Sequence, residues 1–312
     1  MADALDPFRI PFLTSVRRRS AAVALIAWSV RRFGITAPGL HKRVSRIAAK
    51  AARDPIPSVI VRSLWRMEAL NVSAARRPRD PAPLLTHPPP LPAQPIAHVG
   101  WATGLAQRIG FEPDALRREL SQTTHDAFRL FCWDGVGADL LVHARPSIYL
   151  PARVLGVVGG GAEHPDRTSG FARLREMLTA EENRLVAHGL GRMIAVTQRT
   201  LASALVETGR LADEWRTPAI QGIGFAFAMM NYADLPAILE RSRDLAPPYG
   251  PAFRDGLVYA LVFDEWLGRG MLAAWQATGA FEREMLARAR HEIALTGERG
   301  HPLPFAVAVP EG

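Results

Sequence analysis

The chain has 312 residues, 48% of them apolar, and a formal net charge of +8, which is material for a sizeable core in one large domain or two smaller ones. The charge is lopsided: residues 1–96 hold 16 basic and 5 acidic side chains, a net of +11, whereas 97–312 hold 22 and 25, a net of −3. The single cysteine, Cys132, excludes an intramolecular disulfide framework and any CxxC metal or redox site; flanked by Phe131 and Trp133, it reads as a buried, inert thiol in a reducing, cytoplasmic setting.

Residues 1–77 read as a basic helical segment. Its apolar run 21–30 is too short to span a bilayer, and Arg31-Arg32 stand where a signal cleavage site belongs. A packed core helix is the favoured reading of that run, with a membrane-surface helix as the alternative. The arginines do not interleave with aromatics in any nucleic-acid motif, so a nucleic-acid partner is not expected. Eight prolines fall between positions 78 and 95, a density that predicts an extended linker or strap over 78–96 rather than helix.

From position 97 to about 300 a small glycine motif recurs: His98-Val-Gly100-Trp101, Asp134-Gly135-Val-Gly137, His188-Gly189-Leu-Gly191-Arg192, Gln221-Gly222-Ile-Gly224 and Asp255-Gly256. Taking the first glycine of each, the steps are 35, 54, 33 and 34 residues, one period of about 34 with an insertion at 143–170. That period predicts an all-α, helical-hairpin (TPR-like) repeat solenoid. In the clearest unit, 221–230 is one helix, 231–234 a turn and 235–243 the returning helix, stopped by Pro247-Pro248. The preceding unit places helices at 189–198 and 200–208, with Trp215 and Pro218 ahead of the next glycine helix. A last helix over 271–295 caps the array, and 301–312 reads as an irregular tail.

The glycine pairs resemble half of a dinucleotide fingerprint, but none has the third glycine or a preceding strand. Five copies argue instead for a shared packing need, glycine in a helix's first turn letting neighbours approach. The residues before them then fall at helix N-caps, where the aspartates would accept hydrogen bonds from free N–H groups. The functional alternative is that equivalent helix ends line one face, so that His98, Trp101, Asp134, His188, Arg192 and Asp255 form a ligand pocket. Asp139 and His143 share a helical face at i,i+4, yet no HExxH or Glu-x-x-His pair completes a metal set, and no GxSxG places a nucleophile. No metal or cofactor is expected.

The order and wording of these motifs, together with the stretch from Pro248-Tyr249-Gly-Pro251 to Gly256, resembles an uncharacterised bacterial family whose genes recur in enediyne-type polyketide biosynthetic clusters. The resemblance covers about 96–290. It departs where family members carry an apolar Glu-Gly-Ala-Ala-Met-like helix before the first motif, and where their His-Glu is replaced here by Asp139-Leu140. It implies a place in secondary-metabolite biosynthesis and supplies no reaction. The expected function is a non-catalytic accessory protein that binds a partner protein or a hydrophobic intermediate. The alternative is an enzyme modifying a polyene or polyketide-derived molecule, with His98, Asp134 and His188 as acid–base groups.

Overall fold

The computed structural model describes Ala74, residues 80–144, 174–198, 201–230, 235–267, Leu272, residues 276–277, 279–300 and Pro302. The expectations for the basic segment 1–77, the 143–170 insertion, the 231–234 turn and the 301–312 tail therefore lie, but for a few residues at their edges, outside the described residues. Every regular element among the described residues is a helix, as the absence of sustained apolar–polar alternation predicts. No described helix is long and apolar enough to cross a membrane. The chain divides into two compact units, one ending at Val186 and the other beginning at Ala187.

The N-terminal unit contains α1 (Pro83–Thr86), α2 (Gln94–Ile109), α3 (Pro113–Thr123), α4 (Phe131–Ala144) and the first turns of α5 (Ala180–Thr197), with single 3-10 turns at Leu91–Ala93 and Asp126–Phe128. The expectation that proline density precludes helix over 78–95 is corrected. Pro83, Pro92 and Pro95 each stand in the first turn of a helix, where the missing N–H has no intrahelical partner to lose. The Asp80 carboxylate accepts the Ala82 N–H at 2.9 Å, and Leu84 is buried in one cluster with Ala74, Ala97 and Trp101. Gly110, with φ of 85°, ends α2 while its N–H reaches the Ala106 carbonyl. Pro113 then opens α3, which buries Leu116 and Leu120. At the start of α5, Thr179 and Glu182 form a reciprocal capping box: the Glu182 N–H donates to Thr179 Oγ1 at 3.2 Å, and the Thr179 N–H to Glu182 Oε2 at 2.8 Å.

The C-terminal unit holds the rest of α5, then α6 (Leu201–Thr208), α7 (Asp213–Met230), α8 (Leu235–Arg241), α9 (Tyr249–Trp266) and α10 (Ala280–Arg299), with a 3-10 turn at Ser242–Asp244. α9 is its centre, buried almost continuously from Ala252 to Asp264 and packed on both α7 and α10. Helix starts differ from expectation. α5 begins nine residues before Gly189, and α7 runs through Pro218 instead of starting after it. Pro218 has no N–H to give Glu214, so α7 forgoes one rung of its ladder; burial of Trp215, Ala219 and Ile220 around it offsets that loss. The last helix starts at Ala280, not 271, because extended Gly279 precedes it.

These longer helices move the glycines from first turns to helix interiors, where they act by close approach. In the N-terminal unit a Cβ on Gly135 would fall on the Val99 carbonyl oxygen of α2, and one on Gly137 on the Val186 carbonyl oxygen of α5. In the C-terminal unit Gly191 lies on Ala219, Gly222 on His188, Gly224 on Phe253 and Gly256 on Gln221, always against backbone oxygen and always closer than any real Cβ could come. In each unit one pair shows the same rule: in Gly135/Gly137 and in Gly222/Gly224 the first glycine meets the preceding motif helix and the second meets the following one. Gln221 and Asp255, equivalent in the motif and 34 residues apart, touch through Nε2 and Oδ2 at 3.4 Å.

Candidate functional site

The helix shifts overturn the N-cap reading. His98, His188 and Asp255 lie inside α2, α5 and α9, and Asp134 is the fourth residue of α4. Of the six expected site residues, His98, Trp101 and Asp134 belong to the N-terminal unit, and His188, Arg192 and Asp255 to the C-terminal one.

His98 is fully buried. Its Nδ1 is 2.8 Å from the Gln94 carbonyl oxygen and its Nε2 3.2 Å from the His125 backbone nitrogen. An amide N–H can only donate, so Nε2 accepts and Nδ1 carries the proton. Burial, assisted by the charges of His125 and Arg129 and opposed by the bond to Gln94, lowers the pKa to about 4. His98 is thus a neutral clamp tying α2 to the turn after α3, its ring 5.5 Å from that of Phe128. Trp101, one turn along, is also fully buried, and its Nε1 donates to Thr123 Oγ1 at 2.9 Å. Asp134 is buried beside the Gly135 contact, and Cys132 is buried as expected. Desolvation pushes that thiol well above its usual range, so it is no nucleophile at neutral pH. Asp139 is buried, and among the described residues no group of His, Cys, Asp or Glu could hold a metal ion.

In the C-terminal unit His188 and Arg192 do come together, around a residue the sequence reading passed over. The His188 ring is 5.6 Å from that of Phe225 and 5.7 Å from that of Tyr259, while the Arg192 guanidinium lies 6.0 Å from the Phe225 centroid. Phe225 stacks on Tyr259 at 5.0 Å, and Phe263 closes the layer at 5.7 Å from Phe225 and 6.0 Å from Tyr259. All three aromatic rings are at least 93% buried. Tyr259 donates its hydroxyl hydrogen to the Pro302 carbonyl oxygen at 3.2 Å. Asp255 takes no part in this layer: its Oδ1 accepts from Arg288 at 2.6 Å and its Oδ2 from Gln221. A signal for Phe225 was available, since it occupies the motif position held one period earlier by Arg192, the residue it touches.

A further polar cluster was not foreseen. Arg117 grips Glu182 with Nε and Nη2 at 3.1 and 2.6 Å, and Nη2 also donates to the Met177 carbonyl at 2.8 Å. Burial alone would raise the Glu182 pKa, but Arg117 and the Thr179 amide outweigh it and hold the carboxyl below its ordinary value. The same guanidinium lies 5.9 Å from the Trp133 ring centre. Nothing in the local sequence joins Arg117 to Glu182, 65 positions away.

No protein-family model matches this chain, and no curated protein or solved structure does either.

Proposed function

We propose that the protein is a non-catalytic accessory protein that presents stacked, TPR-like helix pairs to a partner protein or a hydrophobic intermediate, in the secondary-metabolite setting implied by its motifs. The observation that carries this reading is the backbone-to-backbone glycine packing repeated within each unit. It devotes the most regular feature of the sequence to stacking helix on helix, the construction that gives repeat proteins their extended binding faces. The state of His98 weighs against an acid–base role in the enzymatic alternative, because both ring nitrogens are engaged by backbone groups and the ring is sealed from solvent.

Native mass spectrometry with metal analysis, on protein isolated from its own host, tests this reading. A co-isolated chain or an apolar small molecule in stoichiometric amount is the expected result. A stoichiometric metal, or a turnover activity abolished by Asp134→Asn, would replace the reading with the enzymatic one.

A further inference from the structure

Phe281, the second residue of α10, carries two cations on one ring. The Arg243 guanidinium, from the 3-10 turn at Ser242–Asp244, lies 5.1 Å from the ring centre, and that of Arg254, from α9, lies 5.8 Å away. Arg254 is held in place: its Nη1 donates to the Ser242 carbonyl at 2.8 Å and lies so near Gly250 that a Cβ there would come to 3.0 Å from it. A carbonyl and a ring leave the guanidinium without a counter-charge. The neighbouring carboxylates are taken, Glu240 by Arg243 at 3.0 Å and Asp255 by Arg288 at 2.6 Å. Arg254 and Phe281 are half-buried and Arg243 is exposed, and an exposed rim of Pro247, Pro248 and Tyr249 leads into Gly250.

We propose that this edge of the C-terminal unit is a docking surface for a peptide segment of a partner protein, one that sets a carboxylate beside an aromatic side chain. The carboxylate takes the remaining N–H groups of Arg254, whose planar fork suits two-pronged binding. The aromatic neighbour packs on Tyr249 and the prolines, and arginine and tyrosine are the residues that most often anchor protein interfaces. Charge narrows the class further. Glu240 and Asp244 stand exposed on either side of Arg243 in the chain, so the edge is no broad cationic field, and a polyanion meets repulsion there. The pair of Glu240 with Arg243 is exposed, and such pairs exchange partners at little cost. This surface rests on the accessory-protein reading and names the chemistry of its partner.

The test uses the full-length chain and fluorescence anisotropy with two labelled peptides, one carrying two Asp-Trp pairs and one with asparagine in place of each aspartate. Wild type binds the aspartate peptide about fivefold tighter. Arg254→Gln brings the two affinities together, whereas Arg283→Gln, which removes an exposed charge from the same helix, leaves the preference intact. Arg243→Gln, the more exposed change, lowers the preference about twofold and serves as the test should Arg254→Gln fail to fold. Unfolding midpoints within a few degrees of wild type show which variants keep the fold. Equal affinities in wild type, no binding of either peptide, a preference untouched by Arg254→Gln, or one lost equally in Arg283→Gln overturns the proposal. So does a short polyphosphate that binds tighter than both peptides. If native mass spectrometry then still finds a partner chain, the accessory reading stands without this surface.

Discussion

The two units share a way of joining helices and differ in what fills the space the helices leave. In both, glycine lets backbone meet backbone: Gly135 and Gly137 on one side of the boundary, Gly191, Gly222, Gly224 and Gly256 on the other. The N-terminal unit then closes its interior with directed polar contacts, namely His98 between Gln94 and His125, Trp101 on Thr123, and Arg117 on Glu182. The C-terminal unit closes its interior with an aromatic layer in which His188 takes part as a ring. His98 and His188 stand at like places in the motif, two residues and one residue ahead of its first glycine; the first is clamped by two backbone groups and the second packs its ring against Phe225 and Tyr259. The motif therefore specifies how helices approach, and the residues between its glycines are left to each site.

The shared part should break first and hardest. Gly137→Ala in the N-terminal unit and Gly224→Ala in the C-terminal unit each drive a methyl group into a backbone carbonyl that no rotamer change can move aside. Each is expected to cost more than about 3 kcal/mol, the upper range for overpacking, and to lower the thermal midpoint by roughly 6 °C or more. A large loss from one and none from the other would show that the glycine rule belongs to only one unit.

The polar clamps of the N-terminal unit should make it acid-sensitive. The folded pKa of His98, about 4, lies below its ordinary 6.5, so the unfolded chain binds the extra proton between these values. The stability tied to a neutral His98 is complete above pH 6.5 and is lost as pH falls toward 4, by up to about 3 kcal/mol. Urea titrations from pH 7 to 4 should show that slope in wild type and a shallower one in His98→Gln; parallel curves would remove His98 from the account. Glu182 acts lower down. Its depressed pKa gives stability present above its unfolded value of 4.5 and lost as pH falls below it. Arg117→Ala should cost about 2 kcal/mol at pH 7, in the range for charge-assisted hydrogen bonds left unmade. Arg117→Lys should recover part of that but not the two-pronged grip, and a lysine variant as stable as wild type would show that charge alone suffices.

Much of this was legible in the sequence as pattern and little as place. Helix as the only regular element among the described residues, a shared packing role for the glycines, and the burial of Cys132 could all be read directly, because each follows from residue type or period. Helix starts could not. Pro218 and the prolines at 83, 92 and 95 read as breaks, and whether a proline is tolerated depends on its turn and on tertiary burial, as at Trp215 and Leu84. Once the starts moved, Asp255, His188 and His98 ceased to be caps. Arg117 with Glu182, and Tyr259 with Pro302, were invisible because contacts between distant positions leave no local trace. Phe225 was the one omission with a signal, being the partner of Arg192 at the same motif position.

The smallest expected effect isolates the reason for the largest. Gly297 is also a helical glycine, in the last turns of α10, but a Cβ there meets nothing within 4 Å. Gly297→Ala therefore carries only the intrinsic preference of alanine for helix and should stabilise the protein by about 0.5–1 kcal/mol. Because Gly137 and Gly224 are helical too, alanine brings them the same intrinsic gain, and their net loss must come wholly from the backbone of the neighbouring helix. Thermal midpoints of the three variants, measured side by side, separate the two terms: a rise for Gly297→Ala with falls for the others assigns the motif to packing. If Gly297→Ala were destabilised to the same degree, the glycines would be marking helix flexibility instead, and the close approach of the helices would be incidental to it.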